Sequence, residues 1–249
     1  MPKQRKHPVQ NKLRSPKVRK NKDLGMSLDP MYHLLKALEL DPKNPKAAYL
    51  HSKLLLDQGS PNAAIDFINS YLAEFGSHPD LHKLLALAYL QTGMIEKAEE
   101  SISQALIQLP RSTDILHAAF RIKKAKGDKF SAFHFLERII RHDDQSVETY
   151  WEMAQLLDPK TEAEKRTNLL EISYSINSKN FKIFKELIIS YCDWFEGTLP
   201  QKEQHSYRKT FFDHTQSTFF LKLPQEVRKR SMLILKNITL HKDYFNFLT

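Results

Sequence analysis

Eleven histidines, one cysteine and 29 acidic residues are the groups of this 249-residue chain best suited to catalysis or metal binding. Their spacing argues against most such chemistry. A zinc hydrolase helix needs two histidines one turn apart with a carboxylate beside the first, and no His-Glu-x-x-His occurs. His78 and His82 are four residues apart, but Pro79 between them marks a helix start, which takes His78 off any shared face. Cys192 is followed by Asp193, whose charge raises rather than lowers a thiol pKa. A single thiol forms no internal disulfide and no thiolate zinc site, and such usage fits a reducing compartment. Glycine occurs six times, with no glycine-rich phosphate loop, nucleophile elbow or kinase motif. The Glu99-Glu100 pair reads as solvated helix surface. The expectation is a non-enzyme with no cofactor and no metal.

Charge is segregated along the chain. Lys3, Arg5, Lys6, Lys12, Arg14, Lys17, Arg19, Lys20 and Lys22 place nine cations and no acid in the first 22 residues. Removing these nine from the 38 basic residues leaves 29 against 29 acids, so the body is neutral and the net +9 resides in the arm. With few large apolar residues, residues 1–26 cannot offset their ordering entropy and read as a disordered basic arm. Such an arm suits electrostatic contact with RNA, DNA, a ribosome surface or an acidic protein, or serves only as a solubilising terminus. Pro16-Lys17-Val18-Arg19-Lys20 also resembles a short nuclear-import signal. The arm lacks the amphipathic helix or aromatic anchor that membrane contact needs. The longest apolar run, Leu84 to Leu90, is seven residues, against roughly 20 for a membrane span. No apolar segment follows the charged N-terminus as in a signal peptide. A cytoplasmic protein is expected, or a nuclear one if the cell is eukaryotic.

The elements that position these groups announce themselves by period. Gly59, Gly93 and Gly127 are 34 residues apart, as are Ala64, Ala98 and Ala132, and Ile68, Ile102 and Leu136. Within residues 79–112, Leu81, Leu84, Leu85, Ala88 and Tyr89 recur at helical spacing, Gly93 closes that helix, and Ile95 to Leu109 make a second that stops at Pro110. The product is a helical hairpin, with Ala98 small enough for the two backbones to approach. Ser60-Pro61 reads as an N-cap and first helical residue in the preceding unit, 45–78. A lone helix begins at Asp29-Pro30, within a half repeat at 29–44.

These residues resemble tetratricopeptide repeats. The unit at 79–112 supplies Leu85, Ala86, Tyr89, Gly93, Ala98, Ile102, Ala105 and Pro110 at the family's positions, departing at His82. The unit at 45–78 keeps Leu55, Gly59, Ala64 and Ile68 but has His51 where leucine is usual, with Tyr71 and Gly76 as later departures. The unit at 113–146 keeps Gly127, Ala132 and Leu136 but has Lys123 at the aromatic position. A fourth, at 147–180, is degenerate: Thr161-x-x-Glu164 reads as a capping box, and Arg166 at the alanine position predicts a shifted second helix. The resemblance implies an all-α fold, an α-solenoid of stacked helix-turn-helix repeats over 27–180 with a helical C-terminal cap at 181–249. In the cap the period is lost, and Phe211-Phe212, Phe219-Phe220 and Tyr244-Phe245 are expected to pack the end of the stack.

The resemblance further implies a superhelix whose first helices line an inner groove, at positions 5, 9 and 12 of each unit. These are Tyr49, Lys53 and Leu56; Lys83, Leu87 and Leu90; His117, Arg121 and Lys124; Trp151, Gln155 and Asp158; and Lys185, Ile189 and Cys192. Cations beside apolar side chains suit a protein segment carrying acidic and apolar residues, with Trp151 and then Tyr49 as anchors. The family's clamp for chaperone C-terminal tails does not match: its positions hold Tyr49 and Lys53, Leu84, and Asp114 and Ala118. An acid where a carboxylate would dock repels it. The reading is a non-catalytic scaffold or adaptor gripping a protein segment. A nucleic-acid- or ribosome-associated factor using the basic arm is the alternative, and the repeat module of a larger enzyme or effector assembly a third.

Overall fold

A computed structural model describes residues 29–142, 146–197 and 205–240. The nine arm cations, Tyr244 and Phe245 lie outside these residues. Among the described residues, regular structure is entirely α-helical: α1 Pro30–Leu40, α2 Pro45–Asp57, α3 Pro61–Phe75, α4 Pro79–Gln91, α5 Ile95–Gln108, α6 Thr113–Lys126, α7 Lys129–Arg141, α8 Val147–Leu156, α9 Ala163–Ile176, α10 Phe181–Gly197, α11 His205–Thr215, α12 Thr218–Leu221 and α13 Gln225–Leu240. The described residues up to 142 fall in one compact unit and those from 146 onward in a second.

Local chemistry sets the boundaries. Proline is the first residue of α1 to α4, where its missing amide proton costs no helical hydrogen bond. Asp29 accepts from the Met31 amide, Asn44 from that of Ala47 and Asp128 from that of Ser131, each satisfying an amide that the first turn leaves open. Ser60 makes no such side-chain bond, so Pro61 alone marks the start of α3. Gly59, Gly93 and Gly127 have φ of 71°, 77° and 81°, a left-handed conformation that a Cβ disfavours.

The second helices begin at 61, 95, 129 and 163, so α9 keeps the register and is not shifted. Arg166 is buried at the alanine position, with Nη2 3.0 Å from Glu186 Oε2 on α10. Completely buried Thr167, bonded to Ser190 at 2.8 Å, supplies a small contact between α9 and α10. The Thr161 capping box does not form either. Asp158 Oδ1 takes the Thr161 amide at 2.8 Å and the Thr161 hydroxyl at 3.1 Å, and α9 starts after Glu162. First helices begin at 45, 79, 113, 147 and 181, so the period runs one helix further than expected and α10 stands as a fifth first helix. Its Phe184, Leu187 and Tyr191 occupy the repeat's apolar positions, and all three are fully buried.

In the first unit each helix packs on the next, and the first helices α2, α4 and α6 also pack side by side. Ala64, Ala98 and Ala132 are fully buried. The departures from the repeat pattern have local partners. Tyr71 donates its hydroxyl proton to the Lys43 carbonyl at 2.6 Å, tying α3 to the loop before α2. Lys123 reaches Glu99 Oε1 of the preceding repeat at 2.6 Å, an ion pair in place of an aromatic contact. In the second unit, α8 pairs with α9, α9 with α10, and α10 contacts α11 and α13 around an aromatic core that includes Phe184, Tyr191, Trp194, Phe195 and Phe211. Phe211 and Phe220 are buried and Phe219 packs on Phe184, as the cap reading expects, whereas Phe212 is exposed.

His51 replaces a core leucine. Its ring lies edge-on to Phe67 at 4.4 Å, its Nδ1 is buried without a hydrogen-bond partner, and burial lowers its pKa from 6.5 to about 4. The folded state therefore prefers neutral His51 while the unfolded chain protonates more readily. Its contribution is full above about pH 6.5 and is lost as pH falls towards 4, by about 2 kcal/mol at pH 5. Urea unfolding followed by helical circular dichroism is expected to show a fall in midpoint from pH 7.5 to pH 5, and His51→Leu is expected to remove most of it. An equal fall in both proteins contradicts the assignment.

Candidate functional site

Side-by-side packing of α2, α4 and α6 brings residues 34 apart in sequence into one row. A concavity of about 320 Å³ lies over these helices. Tyr49, Lys53, Leu56 and Asp57 line it from α2; Lys83, Leu84, Leu87 and Gln91 from α4; Asp114, His117 and Arg121 from α6. Of the fifteen inner positions read from the sequence, Tyr49, Lys53, Leu56, Lys83, Leu87, His117 and Arg121 thus share one depression.

Their roles within it differ. Lys83 is not a presented cation. Only 9% of its side chain is exposed, and Nζ sits 3.4 Å from both Asp80 Oδ1 and Asp114 Oδ2. It also lies 5.7 Å from the centre of the Tyr49 ring. The middle of the depression is therefore electrically compensated. Lys53 and Arg121 are exposed, and neither makes an ion pair with another described residue. They stand on the two outer helices, with Leu87 on the helix between. Asp57 adds a carboxylate beside Lys53, one turn further along α2, so the lining is only mildly basic.

Lys124 lies outside this lining; its Nζ is 5.5 Å from the Phe120 ring centre. Trp151 belongs to the other compact unit, where Lys182 Nζ lies 4.1 Å over its ring and the indole Nε1 is buried without a hydrogen-bond partner. Cys192, the inner position of α10, is fully buried and faces Ser231 of α13 at 3.4 Å. Its pKa is pushed up to about 11, chiefly by burial. The Asp193 carboxylate adds only a minor upward push, and Arg230 Nη2 holds it at 2.9 Å. Reading positions 5, 9 and 12 missed Asp57 and Gln91 at position 13, although an i, i+4 step from position 9 places them on the same stripe.

Among the described residues, no three His, Cys, Asp or Glu side chains are arranged to hold a metal ion. No described helix is long and apolar enough to cross a membrane.

Left-handed glycine turns, buried small residues at the crossings and side-by-side first helices define a tetratricopeptide-like helical repeat fold. The sequence pattern of the family of anaphase-promoting complex (cyclosome) subunit 3 matches residues 31–105. No curated protein matches the chain. Solved tetratricopeptide structures share the fold at low identity. YrrB, described as a TPR protein with an unusual peptide-binding site, is 13% identical, with a TM-score of 0.56 over 74% of this chain and 93% of its own. MamA is 15% identical, with a TM-score of 0.53 over 76% of this chain and 97% of its own. A MamA fragment from Desulfovibrio magneticus RS-1 is 14% identical, with a TM-score of 0.53 over 70% of this chain and 97% of its own.

Proposed function

We propose that the protein is a non-catalytic interaction scaffold whose α2–α4–α6 face holds a segment of a partner protein rich in acidic and apolar residues. The observation that carries this is the shared depression in which exposed Lys53 and Arg121 flank Leu87, with Tyr49 and Leu56 alongside. Half-buried Tyr49 and Leu87 give a segment apolar area to cover, and unpaired cations give it charge to answer. The fold shared with YrrB, itself described as peptide-binding, is in keeping with this use. Lys53 and Arg121 are the informative positions, because changing them breaks no ion pair between described residues. Lys83→Glu would instead put three carboxylates together and test folding rather than binding. Peptides selected on the full chain from a displayed random library are expected to be enriched in acidic and apolar residues, and to bind the Lys53→Glu/Arg121→Glu protein at least tenfold more weakly. Unchanged affinity places the ligand elsewhere.

The charge segregation favours a second role. Nine cations without an acid in residues 1–22 suit contact with a polyanion such as RNA. If all nine neutralise phosphates of a duplex, log affinity falls with log salt at a slope near −8, and a chain starting at Ser27 loses that slope. Equal, weak RNA binding by both chains would remove this role.

A further inference from the structure

The order of charges across the concave face sets a spacing for the ligand; this inference rests on the reading of that face as a ligand site. Position 9 of three consecutive first helices reads Lys53, Leu87, Arg121: cation, apolar, cation. All three line the one depression. Between the two cations, Lys83 is buried and held by Asp80 and Asp114, so it has little charge to offer a ligand. Asp57 lies one turn from Lys53 without an ion pair between them, so the face carries modest unpaired positive charge towards its two sides and an apolar, compensated middle.

Packed helices lie about 8–10 Å apart, so two steps from α2 to α6 separate the backbones beneath Lys53 and Arg121 by roughly 16–20 Å. An extended chain rises about 3.3 Å per residue and alternates its side chains, so residues i and i+6 point the same way about 20 Å apart. We propose that the face binds an extended segment running across the helices. Acidic side chains at i and i+6 meet Lys53 and Arg121, and apolar ones at i+2 and i+4 lie over Leu87 and its neighbours. A helical ligand, at about 1.5 Å per residue, would need its acids some 11–13 residues apart. It would also need a trough as wide as its 10–12 Å diameter. The chemical pattern of the occupant is thus acid, two alternate apolar residues, acid.

The test is a series of fluorescein-labelled peptides with two aspartates separated by 2 to 12 residues, leucines between them and serine elsewhere. Each is titrated against the full chain by anisotropy. The proposal expects tightest binding at a separation of six, with at least tenfold loss at three and at ten. Lys53→Glu and Arg121→Glu are each expected to flatten the profile. Replacing the facing aspartate by lysine is expected to restore affinity for one charge-reversed protein and not the other. Circular dichroism verifies that both variants retain helix. A profile flat in separation, or one still rising at 11 and 12, overturns the extended register. If such a profile still collapses on Arg121→Glu, the concave face survives as a ligand site and only the spacing fails. If no peptide of the series binds, the spacing proposal is overturned. Library-selected peptides that are equally indifferent to both substitutions overturn the reading on which it rests.

Discussion

A helical hairpin covers only part of its apolar surface with its own two helices; the remainder stays wet until a neighbour lies against it. In this chain the neighbour is the next hairpin, and fully buried Ala64, Ala98 and Ala132 let the helices close on one another. Left-handed Gly59, Gly93 and Gly127 return the chain after each first helix, so every second helix starts at the same offset. Side-by-side first helices follow, and with them the row of Lys53, Leu87 and Arg121. The candidate site is a by-product of the way the stack hides its apolar faces.

The same register explains how substitutions in the pattern are absorbed. His51 stays neutral in a leucine's place because burial disfavours its charge. Tyr71, too large for the alanine position, spends its hydroxyl on the Lys43 carbonyl. Lys123 exchanges ring packing for Glu99, which also holds Lys126 at 2.6 Å. Tyr71 and Lys123 thus satisfy their polar groups locally, as burial requires, whereas His51 keeps a buried Nδ1 without a partner. In the second unit the inner position of α10 is closed by α13 through Cys192 and Ser231, whereas in the first unit the equivalent Leu56 lines an open depression.

Turns and crossings were legible in the sequence because glycine and alanine stand there for steric reasons that no other residue meets as well. Seven groove residues were legible because one face of a helix is fixed by its periodicity. The pairing of Lys83 with Asp114 was not, since it joins residues 31 apart in sequence and depends on side-chain direction. The failed capping box shows a different limit: Asp158, three residues upstream, competes successfully for the Thr161 amide. The continued register of α10 had a signal in Phe184, Leu187 and Tyr191. It was masked by Ile188 at a position usually held by a small residue and by the greater length of the helix, 17 residues.

The alignment of α2, α4 and α6 is the claim on which the site depends, and a distance measures it most directly. Nitroxide labels at Lys53→Cys and Arg121→Cys in the full chain can be read by double electron–electron resonance, with buried Cys192 left unlabelled. Side-by-side packing predicts one narrow distribution, with the labelled backbones roughly 16–20 Å apart before the label arms are added. A broad distribution, or one requiring backbones more than about 30 Å apart, would contradict three helices in contact.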